Sequence, residues 1–343
     1  MNEALTLTRA IHFGAVLWLV GEFVLIVFVT GPTLAGSSSD AAAGGNSAGR
    51  RLLRVASLCL AVAVASAVVW LLLEAANMSG MALVDASNRE TLGVVVRETL
   101  FGRVWLVRLA LSLLLGAVLW LAWRGRAQSR RNSAALKIAG TLLAGAYAAT
   151  LAGSGHAAAD AGADRMIHLA CDAVHLVAAG AWVGALPGLL ALLTRVRGDA
   201  RPEAMALAHS ATRRFSNVGI VSVGALAATG LVNSWYLVGS IPALLGTDYG
   251  SLLLWKLALF AAMIVLAAIN RLRLTPQLAT AASGTMTIAG DDALRRLRRN
   301  ALLELGGGVA IVAIVAALGL MVPAMHMFHG EHHHPMTSEA SVH

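Results

Sequence analysis

The stretch SGHAAADAGADRMIHLACDAVHLVAAGAWVGALPG, residues 154–188, decides how the rest of the chain is read. It opens as a short polar loop with His156, Asp160 and Asp164. It then becomes apolar while still carrying His168, Asp172 and His175. An apolar run of this length spans a bilayer as one helix, since about 20 predominantly apolar residues are enough. Ionisable groups inside such a helix are costly, so they face a protein interior or a wet cavity and mark a functional site.

Composition agrees with that reading. Of the 343 residues 58% are hydrophobic and only 13% charged, too little charged surface for a soluble domain of this size. The expected fold class is all-α, a polytopic membrane bundle of eight transmembrane helices. The qualifying stretches lie at roughly 6–30, 52–76, 103–123, 134–153, 166–193, 216–238, 249–270 and 300–323. The first contains His12, Trp18 and Glu22 and is too long for a cleaved signal, so a retained helix is expected. Segments 35–49 and 77–102 read as extended loops.

A net charge of +8 raises nucleic acid as a partner, but the basic residues stand between apolar runs and no basic–aromatic surface accompanies them. Arg50, Arg51 and Arg54; Arg124, Arg126, Arg130, Arg131 and Lys137; Arg195, Arg197, Arg201, Arg213 and Arg214; and Arg271, Arg273, Arg295, Arg296, Arg298 and Arg299 all fall on one side of such a bundle. The positive-inside rule makes that side the cytoplasm, so both termini are expected outside. His209 is placed in a solvated cytoplasmic loop, and Glu304 is expected to pair with its arginine-rich flank.

On that topology the chemistry crowds the outer half. His168, Asp172 and His175 at i, i+4 and i+7 share one helix face, with the two histidines about 10 Å apart along the axis. His12 enters the first helix at similar depth, and Lys256 enters the seventh. Beyond the last helix, Met325, His326, Met327 and His329 combine thioethers with imidazoles, ligands suited to Cu(I) and to Cu, Zn or Ni respectively.

Two ligand schemes stand open. Copper is held by His156, His168, Asp172, His175 and the tail. Alternatively, haem b is held between helices by His12, His168 or His175, with Lys256 meeting a propionate and a quinone as electron partner. A polar seam that only glues helices is the plain alternative. Cys59 and Cys171 have no paired spacing and read as buried thiols. Gly180, Gly184 and Gly188 mark a close helix–helix contact. No nucleotide loop, HExxH helix or Ser–His–Asp setting supports a hydrolase.

Gly155-His156 followed by Asp172-x-x-His175, Gly180-x-Trp182-x-Gly184-x-Leu186, Phe215-Ser216, Thr229-Gly230-x-x-Asn233-Ser234, Thr247-x-Tyr249-Gly250, Trp255-Lys256, Asn270-Arg271 and Pro276 resembles the copper resistance protein D (CopD) family of bacterial inner-membrane proteins. The resemblance runs from about 150 to 323 and is less specific over the first 130 residues. It implies one transmembrane domain over 1–323 with a His/Met-rich periplasmic tail at 324–343. It also implies copper handling in the inner membrane with a separate periplasmic CopC-type partner.

Overall fold

The computed structural model describes residues 2–35, 39–125, 130–154, 162–196, 202–283 and 287–325. In chain order the helices are α1 (Asn2–Val24), α2 (Gly31–Ala35), α3 (Ser39–Ser79), α4 (Leu83–Ala86), α5 (Arg89–Glu98), α6 (Leu100–Arg124) and α7 (Arg130–Ala149). There follow α8 (Gly162–Trp182), α9 (Leu186–Val196), α10 (Pro202–Val238), α11 (Ile241–Gly246), α12 (Asp248–Ile269), α13 (Thr275–Ala282) and α14 (Thr287–Leu318). No strand occurs among the described residues, and eight spans are long and apolar enough to cross a membrane. The all-α polytopic bundle expected from composition is the fold observed.

Membrane helices gain little from hiding apolar surface from lipid, so their association rests on close packing and polar contacts. Here α1 supplies the axis. Its most hydrophobic window is 78% buried, against 11% for the span beginning at Asp248, which lies at the lipid-facing rim. Val16, Leu19 and Phe23 of α1 pack with Ala63, Trp70, Leu115 and Tyr147 in one core. Leu25 and Val29, in the π-helical turn that continues α1, join a second core with Trp182, Leu186, Phe215 and Met263. The first helix therefore binds the two halves of the bundle together. Outward-facing Leu113, Leu142, Val221, Trp255 and Leu272 form the apolar exterior.

The expected glycine contact is realised between α1 and the α8–α9 pair. A Cβ on Gly184 would collide with the Leu17 carbonyl, one on Gly21 with the backbone of Gly184, and one on Gly188 with Leu25. The span expected as a single helix over 166–193 is broken at this crossing, where α8 stops at Trp182 and α9 resumes at Leu186. Pro187 explains the break, since its ring displaces the carbonyl one turn earlier and it donates no hydrogen bond. Gly184 N–H reaches back to the Ala179 carbonyl across the turn, at 3.3 Å.

Two other spans carry π-helical turns, Leu25–Thr30 and Asn270–Leu274, and each runs into a proline, Pro32 and Pro276. In both, a threonine hydroxyl (Thr30 or Thr275) donates to the carbonyl five residues back. These hydroxyls take up backbone acceptors that the displaced helical ladder leaves.

Three expectations need correction. Segment 77–102 is not extended: α4 and α5 occupy it, capped by Asn88 Oδ1 accepting from Thr91 N–H at 2.8 Å. Val95 of α5 packs on Leu71 and Ala75, so an amphipathic surface helix forms where polar composition suggested a loop. Segment 35–49 is helical from Ser39 onward as the start of α3. His209 lies within α10, half-buried, because that helix begins at Pro202 rather than near residue 216.

Gly184→Ala is expected to destabilise the protein by about 3 kcal/mol or more, because the added methyl meets backbone rather than a movable side chain. Gly116→Ala, whose Cβ meets nothing within 4 Å, should fall within about 0.5 kcal/mol of the parent or above it. Thermal unfolding in detergent checks both.

Candidate functional site

Polar side chains gather at the end of the bundle where α1 begins, hereafter the histidine end; the opposite end carries the arginine-rich connections. The shared face of His168, Asp172 and His175 meets α10, which runs antiparallel to α8, so partners descend as α8 ascends. His168, 3% exposed, stacks flat on Tyr236 with ring centroids 4.8 Å apart and planes 9° from parallel. One turn along, Asp172 Oδ1 accepts from Asn233 Nδ2 at 3.2 Å. One turn further, His175 Nδ1 meets Thr229 Oγ1 at 3.0 Å. Lys256 on α12 acts electrostatically on both Asp172 and His175, and Tyr249 on Asp172.

Hydrogen-bond direction fixes the His175 tautomer. The single Thr229 hydroxyl proton goes to the Ala225 carbonyl at 2.6 Å, so Thr229 can only accept from His175. Nδ1 therefore carries the proton, and Nε2 keeps its lone pair. A histidine anchored through one nitrogen with the other left basic is the arrangement that metal-binding imidazoles use.

His12 belongs to a different group. Its Nδ1 lies 3.0 Å from both the Ala63 carbonyl and Ser66 Oγ on α3. A carbonyl only accepts, so here too Nδ1 is the protonated nitrogen. Its ring packs against Trp70 at 5.4 Å and Tyr147 at 6.1 Å between centroids. Two guanidiniums, Arg9 and Arg108, stand over Trp70, each 5.2 Å from the ring centroid. Arg108 is anchored by Nε to Thr150 Oγ1 (3.1 Å) and by Nη2 to the Thr150 carbonyl and Ser154 Oγ (3.0 and 2.8 Å). The indole attracts both guanidiniums through cation–π contact.

Sequence reading found His12 but passed over Arg9 and Arg108. The signal was available: both are charged residues within apolar spans rather than in the connections.

At the arginine end the buried polar groups are sparser. Glu22 Oε1 accepts from Trp18 Nε1 at 2.8 Å. Glu304, expected to pair with neighbouring arginines, instead accepts from Asn270 Nδ2 at 2.7 Å, and Asn270 Oδ1 accepts from Asn300 at 2.8 Å. The π turn at Asn270 opens the helix towards this contact. A cavity of about 260 Å³ adjoins it, bounded by Trp182, Phe215, Ser216, Asn270, Arg271 and Glu304.

Of the ligand residues expected from sequence, the structure brings His168, Asp172, His175 and Lys256 to one helix interface and sets His12 in another. Met325 Sδ lies against the end of α10, 3.1 Å from where a Cβ on Gly239 would stand. His156, His326, Met327 and His329 lie outside the described residues. Among the described residues no three His, Cys, Asp or Glu side chains converge as a metal-binding group.

This geometry belongs to a multi-pass helical membrane protein with ionisable groups buried towards one surface. Comparison with known sequences agrees over most of the chain. The profile of copper resistance protein D matches residues 209–318, and that of the copper resistance protein D-like N-terminal domain matches residues 1–167. The first 167 residues are thus as characteristic as the rest, although the motifs legible there were fewer. Copper resistance protein D of Pseudomonas syringae pv. tomato is 33% identical over 270 residues, covering 76% of this chain and 83% of that protein. The chain belongs to the copper resistance protein D family.

Two further relatives share 33% identity over shorter stretches. Copper transport protein CutJ of Bacillus subtilis (strain 168) aligns over 201 residues, 56% of this chain and 35% of the relative. Inner membrane protein YebZ of Escherichia coli (strain K12) aligns over 183 residues, 53% of this chain and 58% of the relative.

Thr229→Val removes the acceptor that orients His175 and is expected to cost about 1 kcal/mol. A double-mutant cycle with His175→Phe, read by thermal unfolding, should recover most of that loss as coupling between the two side chains.

Proposed function

We propose that this protein is a multi-pass component of the bacterial inner membrane that binds copper at its periplasmic surface and moves it towards the cytoplasm. The observation that carries the proposal is the His175 tautomer: a basic Nε2, fixed by Thr229, one turn from the Asp172 carboxylate. Copper accepts imidazole and thioether donors. His168, Asp172 and His175 form the intramembrane station, with His156 and the tail residues Met325, His326, Met327 and His329 collecting copper before it. Lys256 balances the Asp172 charge while the site is empty. Membership of a family named for copper resistance, and a relative named as a copper transport protein, support copper as the ion.

By the positive-inside rule the arginine-rich connections argue for a cytoplasmic location of their end, and the reading accordingly puts the histidine end and both termini on the periplasmic side. The reading includes a soluble copper-binding protein of the CopC type that delivers copper to this surface. The Glu304 carboxylate beside its cavity provides an oxygen ligand for release on the other side. The haem b alternative, with axial ligands drawn from His12, His168 and His175, finds no support: the neighbours of His12 belong to α3 and α7, away from the α8 face.

Purified protein in nanodiscs should bind copper, measured by elemental analysis against protein, with an affinity that falls about 10-fold or more in His175→Ala and in His168→Ala. Undiminished binding in the double variant would rule out the station. In sealed vesicles Glu304→Gln should slow copper uptake while leaving equilibrium binding at the histidine end unchanged. Equal uptake would remove Glu304 from the path.

A further inference from the structure

A second cluster of buried polar groups surrounds Trp70, separate from the histidine face of α8. Arg9 is 6% exposed, Arg108 1%, His12 0%, Trp70 1% and Tyr147 0%. Each of these five presents a polar atom with no hydrogen-bond partner in the protein: Arg9 Nε, Arg108 Nη1, His12 Nε2, Trp70 Nε1 and Tyr147 OH. Native proteins satisfy nearly all buried polar groups, so five orphans gathered around one ring call for a ligand. Four helices contribute them, α1, α3, α6 and α7, which fixes their relative positions from independent directions.

The atom types state what the ligand is. Among these atoms His12 Nε2 is the one pure acceptor, and the Tyr147 hydroxyl both donates and accepts. Against them stand three N–H donors, from Arg9, Arg108 and Trp70, two of them on guanidiniums. Both guanidiniums carry charge, and neither forms an ion pair with another described residue. The carboxylate nearest in effect is Glu74, which attracts Arg9 without forming an ion pair. Buried unpaired charge is destabilising unless it is compensated. The compensating group is therefore an acceptor bearing negative charge. An enclosure of aromatic rings also favours an anion that sheds its water easily.

We propose that the chamber binds a small, weakly hydrated anion such as a halide or nitrate between Arg9 and Arg108. The anion neutralises the two guanidiniums and ties α1, α3, α6 and α7 together at the periplasmic surface. A groove between α6, α7 and α8, lined by Val104, Thr150, Gly153 and Met166, reaches Thr150, the residue that holds Arg108.

The test uses the purified full chain in detergent, exchanged into sodium gluconate, chloride, bromide, nitrate or phosphate at constant sodium. Chloride, bromide and nitrate should raise the unfolding midpoint by at least about 2 °C, increasing with the logarithm of concentration, whereas gluconate and phosphate should not. The shift should vanish in Arg108→Gln and shrink in Trp70→Phe, which keeps the ring and loses the N–H. Equal midpoints in all five salts, or a full shift in Arg108→Gln, would overturn the proposal. A response to phosphate alone overturns it in favour of a phosphate-bearing lipid headgroup. Should Arg108→Gln fail to fold, anomalous scattering from bromide-soaked parent protein decides. A bromide peak between Arg9 and Arg108 supports the site, and a chamber holding only water refutes it.

Discussion

Backbone meets backbone where Gly21 of α1 crosses Gly184, and the rest of the bundle depends on that approach. In lipid, two helices gain most when small residues let them come close enough for dispersion and weak polar contacts to add up. Here the approach leaves no room for a single methyl on either glycine. Drawn in so far, α1 is buried on nearly every side and shares its length between two cores. The helix pair that meets it must also bend, and Pro187 with Gly184 provides the bend. The polar turns of α8 and its apolar continuation in α9 therefore follow different directions from one crossing point.

That geometry separates two sets of polar groups at one end of the molecule. The α8 face turns towards α10 and α12, and receives Tyr236, Asn233 and Thr229 in step with His168, Asp172 and His175. The opposite side of α1 turns towards α3, α6 and α7, and holds His12 with two arginines. His12 and His175 are oriented by the same device, an Nδ1 proton committed to an acceptor that cannot donate back. The electrostatic surroundings differ in kind. Beside His175 stand a carboxylate and a lysine, a nearly neutral setting that a cation can enter. Beside His12 stand two positive charges, a setting that repels a metal ion and attracts an anion.

Much of this was legible in the residues. Apolar run lengths and loop charges gave eight spans, and the i, i+4, i+7 spacing gave the α8 face. The four-residue glycine rhythm gave the α1 contact side of α8, although not the partner helix. What could not be read had physical reasons. Pro187 inside an apolar run is compatible with a kinked or a broken helix, and only packing against α1 decides. The amphipathic helix α5 is too short and too polar to rise above a loop reading until Leu71 and Ala75 cover Val95. His12 looked like a partner for His168 because both enter at the same depth. Depth along the membrane is readable from sequence, and azimuth around the bundle is not. Arg9 and Arg108 were the avoidable omissions, since charge within an apolar span is a signal by itself.

The unequal distribution of polar groups between the two ends bears on how a cation would traverse the chain. A path lined with strong ligands at every level would hold an ion rather than pass it. The histidine end offers imidazole nitrogens in a rigid register, and the arginine end offers Glu304, hydrogen-bonded by Asn270, beside an open cavity. A soft cation bound by imidazole and thioether groups meets a hard oxygen ligand in Glu304 at the far side, and hard oxygen binds it less well. Such a gradient favours capture at one surface and release at the other. The π turn at Asn270 stands where that release would occur, and it carries the amide that donates to the Glu304 carboxylate. Strong binding at one end and weak binding at the other is the arrangement that lets a membrane protein accumulate a scarce ion at its outer surface and still let it go.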